Sequence, residues 1–230
     1  GLGYYAVRGA NYDNTGFFID GHPALFLYHL FGGPGVVHPE LIGGLAFYPG
    51  GYPVRYGRFA GGAIALETAD PPDDRWHLDF EVDLLKASLL FSIPFDENKG
   101  QLTMAFRRSF YEAFLPLITD DVMLSYTDYQ VRLKYRPHRD VLLNLLSLGS
   151  EDALELTVSG GETGTARSTN LETGFHRLLF GVDWDVTPKV KWSNSMVWEH
   201  DRLSTSRIAE GEDDIDYSPL GWFAQWRSWT

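Results

Sequence analysis

Residues 75–84 read Arg75-Trp76-His77-Leu78-Asp79-Phe80-Glu81-Val82-Asp83-Leu84. Trp76, Leu78, Phe80, Val82 and Leu84 alternate without a break against Arg75, His77, Asp79, Glu81 and Asp83. A period of two puts the apolar side chains on one face of a β-strand and the polar ones on the other. The pattern returns at Leu102, Met104 and Phe106. It returns again at Tyr129, Val131, Leu133 and Tyr135 against Gln130, Arg132, Lys134 and Arg136, and at Leu178, Phe180, Val182 and Trp184. Further strands are expected over 86–95, 141–149, 190–202 and 217–229.

The links between these strands mostly alternate in length. Residues 96–100, 137–140 and 186–189 are tight and turn-like, whereas 111–126, 150–173 and 203–216 are longer and polar or glycine-bearing. Short turns on one side and long loops on the other are what an outer-membrane barrel shows. The link Leu84-Leu85-Lys86-Ala87 breaks the rule by being short. A soluble β-sandwich also alternates, and a solvated sheet face would also carry Asp79, Glu81 and Asp83. The direction of the apolar faces separates the two: a barrel turns Phe80, Val131, Leu133 and Phe180 outward to lipid, and a sandwich buries them.

Composition narrows the function classes. The chain has 230 residues, 44% of them hydrophobic, and a net charge of −12 with no concentrated basic surface, which argues against nucleic acid. With no cysteine, disulfides, thiolate metal sites and thiol catalysis are excluded. No stretch reaches the ~20 apolar residues of a membrane-spanning helix, a test that does not touch β-strands of about 9–11 residues.

Upstream of this alternating region the composition changes. Residues 1–70 hold 15 of the 24 glycines and no lysine, and Asp70-Pro71-Pro72-Asp73-Asp74 forms a natural linker. The ordered features are Arg8-Gly9; a strand at 16–19 running into Asp20-Gly21-His22-Pro23; Pro39-Glu40-Leu41-Ile42; and Leu45-Ala46-Phe47-Tyr48-Pro49-Gly50-Gly51. They continue with Val54-Arg55-Tyr56-Gly57 and Gly61-Gly62-Ala63-Ile64-Ala65-Leu66-Glu67-Thr68. Any one glycine reads as an ordinary turn.

In this order, over residues 7–68, they closely resemble the second half of the plug domain of TonB-dependent outer-membrane receptors. The resemblance implies a mainly β chain: a small α+β plug fragment at 1–70, then at 71–230 antiparallel strands beginning an incomplete transmembrane β-barrel. It implies that Arg8, Gly9, Asp20, Gly21, Glu40, Gly50, Gly51, Arg55, Tyr56, Gly57, Gly61 and Gly62 carry the plug motif and plug-to-barrel contacts. A helix is implied before Ile42. Many members have Arg-Gly-Pro where this chain has Tyr48-Pro49-Gly50-Gly51, so Arg55 and Arg58 are candidates for the missing cation and Arg8 is the best match to a plug-holding arginine.

The same resemblance implies active uptake of a scarce, bulky substrate such as siderophore-iron, cobalamin, a glycan or a peptide. Its partners would be an extracellular small ligand, outer-membrane lipid and a TonB-type inner-membrane energising complex, in the outer membrane of a Gram-negative bacterium. Neither a cofactor nor catalysis is implied. The first plug half would precede residue 1 and many more strands would follow, since eight fall far short of the 22 of a plugged transporter.

Other chemistry finds little support. His22, His29 and His38 have neither helical nor strand spacing for one metal ion. Asn11, Asp13 and Asn14 lack the rest of a calcium loop. Gly32-Gly33-Pro34-Gly35 lacks the Gly-Lys-Ser/Thr of a phosphate loop. Asp120-Asp121 and Asp213-Asp214 read as solvated loop charges. The rival readings are a soluble or surface-attached β-rich binding module, carbohydrate-binding by its seven tryptophans and many acids, and an outer-membrane enzyme.

Overall fold

The computed structural model describes residues 7–11, 14–158, 167–209 and 220–229. Asp13, Asp213 and Asp214 lie outside them, as do residues 159–166, 210–216 and 217–219 of the expected loops and last strand. The chain is mainly β and divides into two compact units, Gly1–Asp73 and Asp74–Thr230.

The first unit is a four-stranded sheet of β1 (Thr15–Ile19), β2 (His22–Ala24), β3 (Ile42–Tyr48) and β4 (Gly62–Thr68), in the order β2-β1-β4-β3. Asp20 and Gly21 have φ of 48° and 79°. Two consecutive positive values give the two-residue hairpin turn whose twist matches that of the strands. β4 returns parallel to β1, with Phe18 beside Ala65, and antiparallel to β3. The core is Phe18, Tyr56, Ala63 and Ala65, with Ala46, Tyr48, Tyr52 and Phe59 packed on it. Where the resemblance implies a helix, the described residues form only the 3-10 turns Leu30–Gly32 and Pro39–Leu41. Gly32, Gly33, Pro34 and Gly35 explain this, because glycine costs helix entropy and proline removes a donor.

The second unit is an eight-stranded antiparallel meander in which every strand pairs with its sequence neighbours. Its strands are β5 (His77–Val82), β6 (Lys86–Phe95), β7 (Gly100–Ser109), β8 (Val122–His138), β9 (Val141–Val158), β10 (Arg167–Thr187), β11 (Val190–Ala209) and β12 (Leu220–Trp229). Between β7 and β8 stand a short helix α1 (Tyr111–Phe114) and a 3-10 turn, Leu115–Leu117.

β8 to β11 run well into the segments expected to be loops. There Glu151 and Asp152, or Glu172 and Thr173, are polar on both faces, so no alternation marks the strand, yet backbone ladders do not depend on polarity. The short β5–β6 link also has a local cause. Asp83 Oδ1 accepts from the amides of Leu85 at 2.7 Å and Lys86 at 2.9 Å, and the Asp83 amide donates to the Lys86 carbonyl at 3.0 Å. An Asx-type turn therefore replaces a longer loop.

Candidate functional site

In the first unit the quoted motif residues fall into three groups. Asp20 closes the hairpin onto β4: its carboxylate accepts from the Thr68 amide at 2.9 Å and hydroxyl at 2.6 Å, beside Gly21. Around Tyr56, the ring lies 4.7 Å from Phe18 and 5.5 Å from Tyr48, with the Arg55 guanidinium 4.9 Å from its centre. Gly57 ends that turn, its amide donating to the Val54 carbonyl.

The third group is a set of close approaches. A Cβ on Gly50, whose φ is +152°, would stand 2.9 Å from Arg8 Nη1, and one on Gly62 would stand 2.8 Å from the Tyr48 carbonyl oxygen. Gly61 donates its amide to the Asn14 carbonyl at 2.9 Å. Arg8 and Gly50, 42 positions apart in sequence, are thus brought together. Gly9 and Gly51 take positive φ with open space around them. Glu40 is exposed on a separate turn, where its amide donates to His38 Nδ1. Arg58 takes a φ of 83°.

The second unit has two unlike faces, and the more polar one is the buried one, with Leu90, Leu146, Leu148, Leu179 and Val197 among its polar residues. Arg107 and Asp128 are each 2% exposed. Arg107 Nε and Nη2 donate to Asp128 Oδ2 at 2.8 and 2.7 Å. Gln130 also reaches Asp128, and the Arg107 guanidinium sits 5.6 Å from the Tyr126 ring centre. Two strands on, buried Arg177 lies 2.5 Å from Asp201 and 4.0 Å from Glu199. Towards the turns, Ser92, Thr103 and Gln101 bond to one another. Register makes this face continuous: Ser88, Arg107, Asp128, Ser150, Phe175 and Asp201 form one row across β6 to β11.

The opposite face carries Leu78, Phe80, Val82, Met104, Phe106, Leu178, Phe180 and Met196, all exposed, Phe80 by 69% and Phe180 by 48%. Val131 and Leu133 share it but are half-buried, Leu133 between Leu102 and Leu145 and Val131 between Met104 and Ser147. At its turn end stands the edge-to-face pair Trp184 and Trp192. At the other end Tyr129 Oη lies 3.1 Å from His176 Nδ1, and His176, His200 and Trp198 stack in succession. Gly149 leaves room for the Tyr129 and His176 rings, since a Cβ there would meet both at 2.6 Å. Just beyond, Arg108 pairs with Glu112 and Arg202 with Glu172 around a depression of about 490 Å³.

Arg107 and Arg108, adjacent in sequence, therefore serve opposite faces. Their pairing with Asp128 and Glu112 is invisible to composition, although strict alternation through 102–108 predicts that they diverge. His22, His29 and His38 are all buried, and among the described residues no three His, Asp or Glu side chains form a metal-holding group. Asp120 and Asp121 are exposed. Near the strand ends, the amides of Leu85 and Lys86 and the Lys86 ammonium hold the Asp83 carboxyl below the ordinary carboxylate range.

No protein-family model matches the chain, and no curated protein matches it in sequence. Among solved structures, the crystal structure of the siderophore receptor PirA from Pseudomonas aeruginosa is similar at a TM-score of 0.46 and 15% identity, covering 94% of this chain and 52% of that one. The chain spans about half the length of that receptor.

Proposed function

We propose that the chain is part of a TonB-dependent outer-membrane receptor, with residues 1–70 the C-terminal part of its plug and 71–230 the first strands of its barrel. The observation that carries this reading is the inverted sheet. A water-soluble sandwich buries the face bearing Phe80 and Phe180 and solvates the one bearing Arg107 and Asp128. Here the apolar face is the exposed one. An apolar surface of this extent needs a non-aqueous neighbour.

The dimensions agree with a bilayer. From Trp184 to His176 along β10 the chain rises about 27 Å, or about 20 Å along the normal at an ordinary barrel tilt, close to the ~25 Å apolar band of outer-membrane barrels. Aromatic side chains stand at both limits, as amphipathic rings do at membrane interfaces. Links at the β8–β9 turn side are short and those at the far side, the β5–β6 turn apart, are longer, which supports an outward far side.

In this reading the outward segments and plug apices bind a scarce, bulky ligand, and an inner-membrane TonB-type complex works on the plug to open a path. Arg8, with Arg55, would hold the plug within the barrel, and the protein would perform no covalent chemistry. Fractionation of the full-length protein tests it. Detergent-dependent extraction from outer membranes is expected, and recovery as a soluble monomer would overturn it. Growth under iron, cobalamin or glycan limitation, with and without the gene, separates the substrate classes.

A further inference from the structure

Charge is segregated along the strands of the second unit. Residues 111–126, 150–173 and 203–216 carry net charges of −3, −4 and −4, nearly all of the chain's −12. The opposite end gathers cations: of five lysines, only Lys86 is not there, and Lys99, Lys134, Lys189 and Lys191 stand with Arg136 and Arg139.

These cations are contiguous because the turns that bear them are bonded together. The Arg136 amide donates to the Lys99 carbonyl at 2.7 Å, and the Asp185 amide donates to the Asp140 carbonyl at 2.8 Å. Between the β8–β9 and β10–β11 turns opens a cavity of about 690 Å³, lined by Arg139, Asp140, Asp185, Lys189 and Lys191.

Several of the acids at this rim are already engaged. Asp96 accepts from Tyr135 Oη at 2.9 Å and lies 3.6 Å from Lys99. Asp140 faces His138 and Arg139, each at 3.4 Å. Asp183 accepts from Ser193 and lies 3.5 Å from Lys191. Among the described residues no carboxylate pairs with the Lys189 ammonium, and the Arg136 guanidinium reaches only the Arg139 carbonyl, at 3.2 Å.

Immediately along the strands from this cavity lies an apolar wall: Trp184, Val186, Val190 and Trp192 are 45%, 44%, 45% and 36% exposed. A ligand that satisfies both features must be anionic at one end and apolar at the other. Arg presents a fork suited to phosphate oxygens and Lys a mobile point charge. Basic residues beside interfacial tryptophan are the usual recognition elements for lipid headgroups.

We propose that this cavity binds the phosphate of a glycerophospholipid, with Arg139 and Lys189 on the phosphate and the acyl chains along Trp184, Val190 and Trp192. The site rests on the membrane reading above and sits at the short-turn rim of the sheet. It would seat one lipid of the leaflet facing the turns and fix the depth of that rim.

The test uses full-length protein in detergent, after fractionation has established that it resides in the outer membrane. Soluble recovery at that stage sinks the membrane reading itself. Binding of phosphatidylglycerol is then followed by native mass spectrometry for the parent and for the Lys189→Ser and Arg139→Ser/Lys189→Ser variants, with inorganic phosphate and diacylglycerol as separate probes. The expected result is phosphatidylglycerol binding that weakens about fivefold per removed charge, with both other probes much weaker. Equal binding by parent and variants overturns the site, as does equal binding of diacylglycerol, and inorganic phosphate binding as well as the lipid reduces it to a free-anion site. Lys189→Ser alters an exposed turn residue and guards against misfolding of the double variant.

Discussion

Arg107 and Asp128, facing each other across β7 and β8 with both side chains 2% exposed, form a two-point ion pair at 2.7 and 2.8 Å within the polar face of the sheet. Removing one partner takes the buried counter-charge from the other, whereas removing both leaves no charge of the pair behind. Asp128→Ala is therefore expected to destabilise by about 3–5 kcal/mol, and Arg107→Met/Asp128→Leu by much less. Unfolding midpoints in denaturant and detergent check this. Equal losses for the single and double variants would show that the pair is not the unit of stability.

The apolar face offers a sharper test of what surrounds the sheet. Phe180 lies midway between Trp184 and His176, so in a membrane it sits near the bilayer centre. Phe180→Arg should cost about 2–4 kcal/mol there and nearly nothing on a wet surface. Folding yield into lipid vesicles measures the difference.

Asp20 and Thr68 fasten the first hairpin to β4 through two charge-assisted bonds. Thr68→Val removes the hydroxyl donor and keeps the shape and the amide donor. A loss of about 1.5–3 kcal/mol is expected, read as a lower thermal midpoint of the first unit's unfolding in the full-length protein.

The β6–β7 turn holds Asp96, Glu97 and Asn98 at φ of 51°, 55° and 66°. Glycine adopts this region freely, and asparagine better than glutamate. Glu97→Gly should stabilise by about 1 kcal/mol and Asn98→Gly by less. No gain from Glu97→Gly in chemical denaturation would show that the turn is not strained.

Asp83 supplies a pH prediction. Its carboxyl is held down by the Leu85 and Lys86 amides, so the unfolded chain binds its proton more readily than the folded one. The stabilisation is complete above the unfolded value, near 4, and fades as pH falls through the lower folded value. Comparing unfolding midpoints of parent and Asp83→Asn from pH 7 downward, the gap should close below pH ~4. A gap that stays constant would place the effect elsewhere.

How much of this was legible in the sequence depends on how local each feature is. Asp20-Gly21 announces its hairpin, and Trp76 to Leu84 announces a two-faced strand, because turn chemistry and period-two alternation act over a few residues. The parallel pairing of β1 with β4 is not written locally, since Thr15 and Gly62 meet across an intervening segment with no repeat. The extension of β9 through Glu151 and Asp152 was hidden because both faces there are polar. The partnership of Arg107 with Asp128 needs a strand register, which the turns between them set. The helix implied ahead of Ile42 fails on Gly32 to Gly35, whose chemistry is local and decisive.

Topology also orders events in time. In the meander each strand docks on the one just made, across links of two to twelve residues, so growth can proceed hairpin by hairpin. β1 has no such route to β4. Thr15 must find Gly62 across more than forty residues of β2, β3 and glycine turns, a loop whose entropy is lost before any bond repays it. The parallel seam of the smaller unit is thus its costliest contact to close.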